Sequence, residues 1–349
     1  MLTGDLDRLL AAEIAAVRPP PSAITTAGTW QPAPRGSAPA PGTYATPVAF
    51  RLAGGDRAGA LRIAMTLAAA LRRAGWVRSV TVTSGYVTVT VTRDALARLA
   101  VRITEAGPAC ARGTALAGAL VPAPPDPDLA AAASWEDARR RLAAFLTGRL
   151  AEAAGARTFS SFPAERGAVA GHRPGERTGP VAAALDYAGA GAIRFTLARL
   201  PPGAPAQVDP GHAAARRLDV PAYAVRYAHA HAVSALRQAA DLGLSLGDAA
   251  ETGTWPLAHP SERALLDELS WLPERVAGAA RRGRPDVFVR YLDRLAGAYL
   301  DGQEQCPAVW PGMAAGRPEI AARLWLAAAT ATALRAGLDL LGVDAPDRL

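Results

Sequence analysis

Lysine and asparagine are absent from all 349 residues, and every one of the 38 basic side chains is an arginine. A GC-rich coding bias, which favours Arg, Ala, Gly and Pro, accounts for most of this skew. Its chemical consequence holds whatever the origin. Without a lysine ammonium there is no phosphate-loop lysine and no Schiff base. Cysteine is nearly as scarce: Cys110 lies in an Ala/Gly/Pro stretch and Cys306 follows a helical one. With no C-x-x-C pair and no histidine cluster beside them, they read as structural thiols rather than zinc ligands. The five histidines are His172, His212, His229, His231 and His259, and only His229 and His231 alternate, with no third ligand near. No metal and no cofactor is expected. No Ser/His/Asp set and no carboxylate pair stands out. Long apolar runs are missing too. Although 50% of the residues are apolar, no stretch approaches the about 18 uncharged apolar residues of a membrane span, so no membrane partner is expected. The N-terminus, Met1 to Asp7, is acidic where a secretory signal is basic. A cytoplasmic protein is the expectation.

What the chain does contain is periodicity. Its length suits two ordinary domains. Up to Glu105, helix and strand signals alternate. Leu6, Leu9, Leu10, Ile14 and Val17 recur at helical spacing and stop at Pro19, Pro20 and Pro21. A second helix is read with Leu61, Ala64, Met65, Ala68 and Leu71 on one face and Gly75 as its C-terminal cap. From Val80 to Val91, apolar residues alternate with threonine around Ser84-Gly85, which predicts a β-hairpin with one buried face. Leu96, Leu99, Ala100 and Ile103 supply a closing helix.

Residues 106–183 read as an Ala/Pro/Gly-rich linker with one helix, capped by Ser134 and striped by Ala138, Leu142, Phe145, Leu146 and Leu150. A second loose stretch runs over 167–178. Beyond it the periodicity is helical throughout. Asp219 and Pro221 open a long helix with Val225, Ala228, Ala232, Leu236 and Ala239 on its apolar side. Ser261 is expected to cap a helix carrying Leu265, Leu266 and Leu269, and Pro273 to restart it. Phe288, Tyr291, Leu292 and Leu295 face inward on the next, and Ile320, Leu324, Ala327, Ala331, Leu334, Leu338 and Leu341 make the stripe of the last. Short connections between such helices predict a bundle.

Three collinear segments carry a resemblance. Val220 to His231 (V-P-A-Y-A-V-R-Y-A-H-A-H) is similar to a P-V-Y-Y-V-Q-Y-A-H-A-R segment of class I arginyl-tRNA synthetases. Phe288 to Tyr299 resembles that family's V-A-R-Y-L-x-D-L-A-G-A-F, and Gly337 to Leu349 its ending G-L-x-L-L-G-V-x-A-P-E-R-M. Weaker likeness lies in Gly42 to Ala49 (G-D-Y-A-T-N-x-A in the family) and Gly85 to Thr88 (G-F-x-N). The resemblance implies a small N-terminal α/β domain over 1–105 and an all-α helical bundle of the class I synthetase anticodon-binding (DALR) type over 184–349. Neither K-M-S-K-S nor H-x-G-H, the family's ATP signatures, is present. About 78 residues of Ala/Pro/Gly-rich linker do not build a nucleotide-binding sheet. The implied protein is a non-catalytic arginyl-tRNA synthetase paralogue whose partner is tRNA or a tRNA-like RNA.

Candidate RNA-contacting residues follow. On the wheel of the Asp219 helix, Tyr223 and Tyr227 lie opposite the apolar stripe with Arg226 and His231 at its edge, a tyrosine-cation face on which unstacked bases rest. The resemblance adds Tyr299, Leu349, Tyr86 and Thr88. His229 turns to the apolar side and reads as a hydrogen-bonded core residue. Charge is divided unevenly: net +6 over 1–105, +2 over 106–183 and −1 over 184–349. Any phosphate grip by the bundle therefore depends on local clusters, with Arg216-Arg217 and Arg281-Arg282-Arg284 as candidates. The alternative is a protein-interaction module that docks on a synthetase or another protein.

Overall fold

The computed structural model describes residues 2–17, 30–32, 40–160, 179–246, 257–309 and 318–349. Its first part runs α1 (Leu2–Val17), β1 (Gln31–Pro32), β2 (Thr43–Thr46), α2 (Val48–Leu52), α3 (Arg57–Leu71), β3 (Val77–Thr83), β4 (Tyr86–Val91) and α4 (Arg93–Ala106). The expected hairpin is β3–β4. Ser84 and Gly85 both take positive φ, 50° and 86°, a two-residue turn whose twist matches that of the strands it joins. Val80 pairs with Val89 and Val82 with Val87, and β2 adds antiparallel on the far side of β4, giving the order β1-β2-β4-β3.

The helices around this sheet follow the expected stripes with one exception. Leu6, Leu10 and Ile14 of α1 are buried, as are Leu96, Leu99, Ala100 and Ile103 of α4. On α3 the buried face is Ala60, Ala64, Leu67, Ala68 and Leu71, whereas Leu61 and Met65 point outward, 45% and 61% exposed. Alanines fill much of the inward face beside Leu67 and Leu71, so the size of Leu61 and Met65 misled the reading. Nor does Gly75 cap this helix, which ends at Leu71 with Arg72 at the cap, its guanidinium bound to the Val80 carbonyl at 2.8 Å. The expected stop at Pro19–Pro21 lies outside the described residues.

Within the stretch read as linker come β5 (Leu120–Pro122), α5 (Trp135–Ala153) and β6 (Arg157–Phe159), with β5 and β6 paired in parallel. The Ser134 hydroxyl accepts from the Asp137 amide at 3.2 Å, and all five expected stripe residues of α5 are buried. The loose stretch 167–178 lies outside the described residues. Among the described residues eight helices follow: α6 (Pro180–Ala188), α7 (Ala190–Arg199), α8 (Pro210–Ala214), α9 (Pro221–Asp241), α10 (Pro260–Ser270), α11 (Leu272–Arg281), α12 (Pro285–Gln305) and α13 (Pro318–Leu341). The chain is thus mostly helical with a few strands. Ser261 does not cap α10. Proline pre-sets the first helical position, so Pro260 starts the helix and His259 becomes its cap. The His259 ring accepts from the Ser261 amide while the Glu262 carboxylate takes the His259 amide at 2.9 Å. No 18-residue uncharged run exists, since Arg323 and Arg335 interrupt α13, but by length and mean hydropathy that helix alone among the described residues reaches membrane-span dimensions. Its 24 residues are long and apolar enough to cross a membrane, yet they lie mostly buried in the protein, as in a core helix.

Two compact units emerge, each discontinuous in sequence. One comprises Met1–Cys110, Ala235–Glu274 and Asp301–Thr330. In it the Gly42 amide donates to Asp267 of α10 at 2.8 Å, and the buried Tyr44 ring lies 5.1 Å from that of Trp271. The other comprises Ala111–Ser234, Arg275–Leu300 and Ala331–Leu349. Its centre holds Phe288, Tyr291, Leu292 and Leu295 of α12, all fully buried. Here Arg194 of α7 is also buried; it donates to the Leu341 carbonyl at 2.6 Å and to Asp126 at 2.7 Å, with its guanidinium over the Phe145 ring. Gly342, at φ 66°, makes room for that guanidinium: a Cβ there would sit 3.0 Å from Nε.

Candidate nucleic-acid interface

Residues four apart on a helix stand one above the other, and α9 places three rings that way. The Tyr223 and Tyr227 rings stack with centroids 5.9 Å apart at 26°, and Tyr227 to His231 repeats the distance at 45°. All three are half-buried. The ladder ends on Tyr299 of α12, whose hydroxyl shares a 3.0 Å hydrogen bond with Nδ1 of His231. Tyr299 itself is fully buried, which corrects its expected place on the RNA face. A ring enclosed on all sides offers no surface to a base; Tyr299 instead holds His231 in place. Burial pushes the Tyr299 phenol well above its ordinary value and the His231 imidazole below its own, so both are neutral at pH 7.

Beside the first turn of α9 opens a cavity of about 470 Å³. Tyr187 of α6 and Tyr223 supply its aromatic wall, and Arg216, Arg226 and Arg348 its charge. Leu349 and Pro346 of the tail, with a floor of alanines from α6, α7, α8 and α9, complete it. Tyr187 is 70% exposed. Among the described residues none of the three arginines is paired with a carboxylate, and Nε of Arg226 is buried without a partner.. Their neighbours differ: Arg217 is bound to Asp219 at 2.9 Å, and Arg284 forks onto Asp286 at 2.7 and 2.8 Å. Of the two arginine runs singled out from the sequence, only Arg216 lines this cavity. A region of net charge near zero therefore concentrates three free guanidinium groups, each a donor with no acceptor capacity, at one concave site.

Tyr223, Arg226 and Leu349 thus line the cavity, and Tyr227 and His231 extend its aromatic wall along α9. Tyr187 and Arg348 were not singled out in the sequence. Each stands on a different element from Tyr223, so no local periodicity connects them. Tyr86 and Thr88 belong to the other compact unit. Tyr86 packs edge-on against Phe50 with centroids 5.5 Å apart, and Thr88 sits between Ala45 and Thr81 on the neighbouring strands. Among the described residues no three His, Cys, Asp or Glu side chains group as metal ligands. Cys110 and Cys306 are buried and unbridged, and burial pushes the Cys110 thiol up to about 12.

Residues 225–349 match the family described as the DALR anticodon binding domain. Over 170 residues, 47% of this chain, the protein is 38% identical to the arginine–tRNA ligase of Micrococcus luteus. Over 125 residues, 36% of the chain, it is 44% identical to the arginine–tRNA ligase of Chloroflexus aggregans. The matched parts make up 30% and 21% of those relatives, so the chain spans less than a third of their length. Among solved structures, Thermus thermophilus arginyl-tRNA synthetase aligns over 66% of this chain and 40% of its own, with 24% identity and a TM-score of 0.38. From within α9 to the C-terminal residues the chain thus matches the DALR anticodon binding domain, and the relatives most similar to this part are arginine–tRNA ligases.

Proposed function

We propose that this protein is a non-catalytic relative of arginyl-tRNA synthetases that binds tRNA or a tRNA-like RNA. Anticodon-loop bases stack along Tyr223 and Tyr227 and enter the cavity beside them, while residues 1–105, with Tyr86 and Thr88, touch a second part of the RNA. One observation carries the reading: two tyrosines and three arginines free of carboxylate partners converge on the 470 Å³ cavity. Unpaired guanidinium groups bind phosphate and base edges by charge-assisted hydrogen bonds, and a tyrosine face accepts any base. Catalysis is left out because the chain has no lysine for a K-M-S-K-S loop and no H-x-G-H.

Fluorescence anisotropy with labelled tRNA tests this directly. The intact protein is expected to bind at low salt, and Arg226→Gln with Arg348→Gln to weaken binding at least tenfold. An intact protein that leaves tRNA unbound at low salt overturns the reading. In that case docking on a synthetase or another protein takes its place.

A further inference from the structure

Beyond the end of α13 the chain has little to hold it. Val343 is buried and its amide closes on the Leu338 carbonyl at 3.0 Å. Among the described residues, 344–349 make no backbone–backbone hydrogen bond. Side chains of α9 and α13 reach the tail. Nδ1 of His229 lies 3.0 Å from the Pro346 carbonyl oxygen, and Arg335 pairs with Asp347. The two holders also meet: Nε of Arg335 lies 3.4 Å from Nε2 of His229. The residues so held run straight into Arg348 and Leu349, which line the cavity.

We infer that His229 and Arg335 are positioning residues that latch the tail against α9 and α13 and thereby set the tail-side wall of the RNA cavity. This rests on the RNA-binding reading above. The hydrogen-bond inventory fixes the proton: a carbonyl only accepts and a guanidinium only donates. Nδ1 of His229 therefore carries the hydrogen and Nε2 accepts, so the contact with Arg335 that closes the latch requires the neutral ring, whereas the bond to Pro346 does not. A second proton would set Nε2–H against the Arg335 N–H. The charged groups facing the ring are Arg335 and Asp347, and burial, the larger influence, holds its pKa below the ordinary histidine value. The sign follows. A histidine depressed in the folded state contributes fully above its unfolded pKa near 6.5, and that contribution is lost as the pH falls through the lower folded-state value. Acid opens the latch.

The test places a nitroxide at Leu349→Cys in the full chain, where Cys110 and Cys306 are buried, and measures RNA affinity separately on unlabelled protein with a tRNA anticodon stem-loop. The parent label is expected to be immobile at neutral pH and to loosen below pH about 6.5. His229→Asn retains an N–H near Nδ1 but has no Nε2 and is expected to stay immobile without the pH step. His229→Leu should be mobile at every pH and bind RNA several-fold more weakly. Arg335→Gln, a change at a half-exposed position that does not threaten folding, should loosen the label and weaken RNA in the same direction. A label that stays immobile in both His229→Leu and Arg335→Gln overturns the latch. Loosened labels with unchanged RNA affinity overturn the positioning role. A parent that binds no RNA overturns the RNA reading and the positioning role with it, while the label still decides the latch.

Discussion

At the scale of single residues, the site divides by whether one helix or several elements place its members. Tyr223, Tyr227 and His231 were legible because spacing by four on one helix puts them on one face whatever surrounds it. Tyr299 was misread as a contact because its aromatic character says nothing about which side of α12 it occupies. The structure gives it a different task and a clean test. Tyr299→Phe keeps the ring and deletes the hydroxyl that meets His231 at 3.0 Å. The loss of one buried hydrogen bond is expected to cost about 0.5–1.5 kcal/mol of folding stability, more if His231 is left unpaired, read by urea denaturation. On the proposed function Tyr223→Ala should instead lower RNA affinity by about 1–3 kcal/mol per lost stacked base, with stability little changed. Equal effects of the two substitutions on RNA affinity would contradict this division of labour.

At the scale of elements, legibility followed the strength of the local pattern. The hairpin was legible from strict alternation and a Ser-Gly turn, and α12 and α13 from long apolar stripes whose every named residue is buried. The inward face of α3 was not, because alanines pack against a sheet as closely as leucines and leave the larger residues outside. The start of α10 was misplaced because serine is the commoner cap, yet Pro260 shifts the first turn and assigns the role to His259. His259→Ala is expected to destabilise the protein by about 0.5–2 kcal/mol, and Ser261→Ala by clearly less. Gly337 of α13 stands at a close helical crossing: a Cβ there would lie 2.4 Å from a Leu292 methyl. Gly337→Ala should cost about 1–3 kcal/mol by overpacking, and Gly337→Ala with Leu292→Val should recover part of it. Thermal unfolding of the four variants decides both claims.

At the scale of the whole molecule, the proposed RNA binding raises the question of where affinity would arise, since residues 1–105 carry net +6 and 184–349 net −1. Charge counts alone favour the N-terminal part. The cavity alters that balance by leaving Arg216, Arg226 and Arg348 free of carboxylate partners, while other arginines of the same region are neutralised by Asp219, Asp286, Asp293 and Asp347. No sequence count separates free from paired arginines, because the pairing partners lie up to 94 residues away. Each phosphate contact contributes about 0.7–0.9 to the slope of log affinity against log salt. Converting Arg216, Arg226 and Arg348 together to Gln should therefore flatten the slope by about 2–3 and weaken binding at every salt concentration. Converting the exposed Arg57, Arg62, Arg78, Arg93 and Arg98 to Gln tests the N-terminal contribution without removing the residues that cover Trp271 and Asp267. If the N-terminal set alone governs the slope, RNA is captured by diffuse charge and the cavity contributes stacking only. If the cavity set governs it, the bundle grips phosphate in spite of its overall charge, which is the outcome its three free guanidinium groups predict.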